Sequence, residues 1–130
     1  MSSPSLSSAA VAALAASSLA LGAWQALAPR SFYDAIGPFG PFNAHGLRDY
    51  ATWSLAYGVV LVLALRRPAW VAPLLALGVA QAGLHTLNHV LDAGEADPRW
   101  VGVFDAVALG VTVVALGLVL QLVTRERKAV

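Results

Sequence analysis

Four stretches of the chain carry no charged side chain: 9–28, 50–65, 68–90 (histidine counted as neutral) and 111–124. All are rich in Ala, Leu and Val, and none shows the alternation of apolar and polar positions that marks a half-buried strand. A helix crossing about 30 Å of hydrocarbon needs about 20 mostly apolar residues. The spacing therefore predicts transmembrane helices over about 8–28, 48–65, 69–91 and 100–123, joined on one side by a long loop over 29–47. The second span is the shortest and takes in Arg48 and Asp49 at one end. The expected fold is an all-α membrane protein, a four-transmembrane-helix bundle forming a single domain over 1–130.

Composition agrees. The chain is 58% hydrophobic and 12% charged, against about a quarter charged in soluble domains, so it has too little charge to cover a water-facing surface. It has no cysteine, which excludes disulfide and thiol chemistry. A net charge of +1 without a basic run leaves no nucleic-acid footprint. "ALA" at Ala26–Ala28 looks like a signal-peptide cleavage box, yet residues 1–8 lack Lys and Arg and Pro29 would follow the cut. The first segment is read as a retained helix. Cytoplasmic loops collect Lys and Arg. Arg66, Arg67, Arg125, Arg127 and Lys128 share one side, and Arg30, Arg48 and Arg99 the other. Both termini are thus expected in the cytoplasm, with the protein in a bacterial inner membrane.

The polar residues collect toward the outer side. On the third segment Gln81, His85, Asn88, His89 and Asp92 recur at i, i+4, i+7, i+8 and i+11, one face of a helix. Asp105 enters the fourth at a similar depth. The second opens with His45, Arg48 and Asp49, and Gln25 closes the first. An ionised Asp in hydrocarbon turns inward to a partner, so Asp105 is expected to pair with His85, His89 or Arg48. Arg48 and Asp49, adjacent on a helix, must reach different neighbours. In the long loop, Gly37-Pro38-Phe39 and Gly40-Pro41-Phe42 stop any helix. "SFYDAI" before them suits one short turn capped by Ser31. Phe32, Tyr33, Phe39 and Phe42 suit either a headgroup-layer anchor or a lid over the helix ends. Gly58, Gly78, Gly83, Gly102, Gly110 and Gly117 are read as sites of close helix approach, and Pro73 as a first-turn residue of the third helix.

"SFYDAIGPFGPFNAHGLRDYATWSLAYG" followed by "GLHTLNHVLD" resembles a group of small actinobacterial-type membrane proteins, loosely similar to the DoxX-like four-helix families. The residues that carry the resemblance are Phe32, Tyr33, Asp34, Asn43, His45, Arg48, Asp49, His85 and His89. Where the group has a glutamate before His45, this chain has Ala44. The resemblance implies a four-helix membrane fold, and membrane redox assemblies for some relatives.

The candidate polar cluster is His45, Arg48, Asp49, Gln81, His85, Asn88, His89 and Asp105. One reading makes it a structural network in an accessory membrane protein, since interhelical hydrogen bonds hold helices in place. A second makes it a metal site: His85-x-x-x-His89 puts two imidazoles on one face, and His45 and Asp105 complete a tetrahedral set. A haem would take His45 with one of that pair. A third is a quinone- or lipid-binding subunit of a membrane redox complex, with histidine passing protons. No nucleophile–base pair is visible, so no reaction of its own is expected. The expected partners are the bilayer and either a membrane complex or a second copy.

Overall fold

The computed structural model describes residues 6–128, with the Arg127 and Lys128 side chains left outside the description. Residues 1–5 of the n-region over 1–8, used in reading the first segment as retained, and the end of the basic tail, used in the topology reading, lie outside the described residues. Within them the chain forms α1 (Leu6–Leu27), α2 (Pro29–Ala35), α3 (Ala44–Ala64), α4 (Pro68–Leu91) and α5 (Arg99–Lys128). The protein is all-helical. Three helices, α1, α4 and α5 over Arg99–Glu126, are long and apolar enough to cross a membrane. In α3, His45, Arg48 and Asp49 dilute the first turns.

Local chemistry explains where the ends differ from expectation. Helix α3 begins at Ala44 because Asn43 caps it, its Oδ1 accepting from the Gly46 amide at 3.1 Å. The short turn in the long loop starts at Pro29 and has no side-chain cap, which corrects the assignment of Ser31. Proline's fixed φ suits a first helical position, where its missing amide would have had no partner. The Ser31 hydroxyl instead accepts from Trp24 Nε1 at 3.2 Å. Pro73 is likewise corrected, since it lies inside α4 past the first turn. The helix continues through it without the bond that an amide there would make to the Ala69 carbonyl.

The long helices pack in two pairs, α1 with α3 and α4 with α5, and α3 touches α4 much less. Two glycine seats fix the first pair. A Cβ at Gly22 would lie 2.9 Å from Leu55 Cγ, and one at Gly58 would lie 2.7 Å from Leu19 Cγ. Each helix thus offers a hollow to the other's leucine, and the backbones approach closely. Gly78 likewise lies under the Tyr57 hydroxyl, which donates to the Leu74 carbonyl at 2.8 Å and ties α3 to α4. Gly102 lies against the Ala93 carbonyl, and Gly110 has only an ordinary contact with Thr86. Gly83 and Gly117 face open space, which corrects their reading as close-approach sites.

The two pairs meet firmly at one end. Val11, Ala15, Leu61, Leu75 and Val123 form a buried cluster there, with Leu14, Val71 and Leu116 packed around it. Ser7 Oγ donates to Glu126 Oε2 at 2.8 Å across the same end. The opposite end is built differently.

Candidate functional site

At that opposite end the helices enclose a cavity of about 480 Å³, lined by α1, α2, α3, α4, α5 and the loop after α2. Phe32, Ile36, Gly37 and Phe39 line it from α2 and the following loop. Phe32 is buried and meets Trp24 edge-on at 5.4 Å. Phe39 forms an antiparallel bridge with Ala96 of the α4–α5 loop, and the Asp97 amide donates to the Pro38 carbonyl at 3.1 Å. Two loops distant in sequence are joined above the helix ends. Gly40, at φ +61°, takes the left-handed turn that this loop needs.

The aromatic residues of the loop divide between two sides. Tyr33 and Phe42 pack on each other at 5.4 Å, away from the cavity, with the Arg30 guanidinium 5.2 Å from the Phe42 ring. Arg30 also pairs with Asp34 at 3.0 Å. That hydrogen bond, then the charge of the carboxylate, raises the Arg30 pKa above its ordinary value. The Tyr33 hydroxyl donates to the Gly40 carbonyl.

One run of ring contacts follows the cavity wall. Gln81 Nε2 donates to the Tyr50 hydroxyl at 2.9 Å, and Tyr50 stacks on His85 at 5.5 Å. His85 meets His89 edge-on at 4.7 Å, and His89 meets Phe39 at 4.8 Å. Helix α1 adds Leu21 and Gln25, and α5 adds Phe104, Asp105, Ala108, Leu109 and Thr112. Three lining residues each hold a buried atom without a hydrogen-bond partner: Gln25 Oε1, His89 Nδ1 and Asp105 Oδ2. Gln25 is only 4% exposed. An unsatisfied buried polar atom costs about 1–3 kcal/mol, so a wall holding three is poorly explained by packing alone.

The structure brings His85, Asn88, His89 and Asp105 to this cavity, together with Asp92. Gln81 reaches it through Tyr50. His45, Arg48 and Asp49 do not line it. His45 Nε2 lies 3.3 Å from Asp49 Oδ2, their side chains 85% and 66% exposed, and Arg48 is exposed as well. The cause is the phase of α3. Leu47 and Tyr50, one turn apart, share the face that α3 turns toward the cavity, and His45 and Asp49 fall on another. Asp105 has no bond to Arg48 or His85, and its Oδ2 is buried without a hydrogen-bond partner. Nor is the tetrahedral set of His85, His89, His45 and Asp105 assembled. Among the described residues no three or more His, Asp or Glu side chains are grouped to hold a metal ion.

Tyr50 and Phe104 are cavity residues that the sequence reading did not place there, whereas Phe32 and Phe39, read as either anchor or lid, do line it. A signal existed for Tyr50, which follows Leu47 by one turn. No protein-family model, curated protein or solved structure matches the chain. Chemically, the cavity offers apolar and aromatic surface, two imidazoles, two carboxylates and a buried amide. That set suits binding of a molecule with both an apolar body and a polar group.

Proposed function

We propose that this chain is a four-span accessory protein of a bacterial inner membrane whose cavity receives a lipid-soluble small molecule bearing a polar group. One observation carries the reading. An apolar cavity of about 480 Å³, within the range of about 300–1,000 Å³ usual for small-molecule sites, is lined by three residues with buried, unpartnered polar atoms. A purely structural network would be expected to satisfy its own members.

The packing of α3 supports its role as the fourth span. Its 21 residues reach about 31 Å at the usual rise, and it lies antiparallel along α1 through the two glycine seats. Arg66, Arg67 and Arg125 gather at the closed end, which favours a cytoplasmic position for that end and an outer-leaflet position for the cavity.

The test is retention of an apolar fluorescent probe by purified protein in mild detergent, beside Ala108→Trp. Ala108 lines the cavity, so an indole there fills it. Binding lost in the variant, with helical circular dichroism unchanged, supports the site. Equal binding by both proteins would place the probe elsewhere and refute the reading. Topology is tested separately by single cysteines at Arg66 and Glu95, clean because the chain has none of its own. Labelling from opposite faces of the membrane is expected.

A further inference from the structure

The charges around the cavity are unbalanced, and the imbalance has one sign. Asp92 and Asp105 line it, and no Lys or Arg does. Arg48, the cation expected beside Asp105, is exposed on another face of α3. The two ion pairs among the described residues, Arg30–Asp34 and His45–Asp49, both lie outside the cavity. A carboxyl group at membrane depth without a cationic partner is a costly arrangement that function usually accounts for.

The surroundings extend the pattern. The cavity end of the molecule carries Asp34, Asp49, Asp92, Glu95, Asp97 and Asp105 against Arg30, Arg48 and Arg99. The closed end carries Arg66, Arg67 and Arg125 against Glu126 among the described side chains. A cleft at the acidic end, walled by low-dielectric helices, concentrates positive ligands. Inside it, Phe32, Phe39, Tyr50 and Phe104 offer rings to a cation, and aromatic faces attract one most strongly when it is stripped of water. The buried Gln25 Oε1 adds an acceptor with no partner of its own. A small metal ion is a poor match for such a wall, since no cluster of three His, Asp or Glu ligands exists among the described residues.

We infer that the ligand is a lipophilic organic cation, an amine or onium centre on an apolar or aromatic body, with Asp105 as its counter-charge. This inference rests on the cavity being a binding site and narrows what it takes. Asp105 provides the charge, Phe39 and Tyr50 provide ring surface, and the apolar remainder holds the body.

Two ions of the same shape and opposite charge test it. Tetraphenylphosphonium and tetraphenylborate are compared by equilibrium dialysis against the full chain in a nonionic detergent, with micelles alone subtracted and triphenylmethane as the neutral probe. The phosphonium is expected to bind at least about tenfold more tightly than the borate. Asp105→Asn should remove that advantage and leave the neutral probe bound as before. Equal binding of the two ions to the wild type, or an undiminished preference in Asp105→Asn, overturns the inference. If triphenylmethane is retained by the wild type and lost in Ala108→Trp while charge makes no difference, the cation inference falls and the cavity reading stands. If no probe distinguishes wild type from Ala108→Trp, both fall.

Discussion

The two ends of this molecule are made from the same four long helices, yet they solve opposite problems. At the closed end, Leu61, Ala64 and Leu75 are fully buried, and Val11, Ala15 and Val123 fill the space between the helix pairs. At the other end the same pairs stand apart around a cavity of about 480 Å³, with three buried polar atoms unpartnered in its wall. Tight packing where side chains are purely apolar, and a gap where they are polar, is the reverse of what stability alone would select. Closing the gap would bury the carboxyl group of Asp105 with no Lys or Arg to neutralise it. The difference fits the proposal that one end holds the fold and the other leaves room for a ligand.

Substitutions at the two ends should therefore differ in kind. Leu75→Ala removes a side chain that is fully buried in the closed-end cluster. It is expected to cost about 2–5 kcal/mol, read as loss of resistance to denaturation in mixed micelles. His85→Ala, whose ring stacks on Tyr50, should cost only about 0.5–1.5 kcal/mol in the same assay. Equal losses would mean that the cavity end is also core, and the contrast would collapse.

Next in size is a comparison of glycines. Gly58→Ala forces a methyl group to within 2.7 Å of Leu19 Cγ and 3.1 Å of the Leu19 amide nitrogen. Overpacking of this type costs about 1–3 kcal/mol. Gly83→Ala meets nothing within 4 Å, so its melting temperature should hold or rise slightly, because alanine favours helix. Tyr57→Phe loses the bond to the Leu74 carbonyl and should cost about 0.6–2 kcal/mol. The smallest effect belongs to His45→Ala. Its partner is the exposed Asp49, and pairs of that sort add little. Neither unfolding nor probe binding should change, and a loss of binding would show that the surface pair contributes to the site after all.

The helices were legible because hydrocarbon demands long apolar runs, and those runs are plain in the sequence. The pairing of His85 with His89 was legible too, since residues four apart share a helical face. What escaped detection depended on phase and on contacts distant in sequence. The start of α3 rests on one side chain, Asn43, but the rotation that turns Tyr50 rather than His45 to the cavity goes with the packing of α3 on α1 through the two glycine seats. Read as opening with His45, Arg48 and Asp49, the span gave no means of excluding His45 from the cluster. From sequence Phe39 suits either anchor or lid, and the pairing of its loop with Ala96 that goes with its place in the wall is a contact no local pattern encodes. Asp105 was assigned a partner on general grounds, but the exposed position of Arg48 follows from the rotation of a different helix.

The glycine seats also have a mechanical meaning. Leu55 sits against Gly22 and Leu19 against Gly58, so sliding α1 along α3 in either direction would unseat both leucines at once. The pair behaves as a single beam. Relative movement is then left to the looser seam between α3 and α4, the seam across which the Tyr50 and His85 rings face each other at 5.5 Å. The separation of those two rings is the molecule's own gauge of how wide its chamber stands.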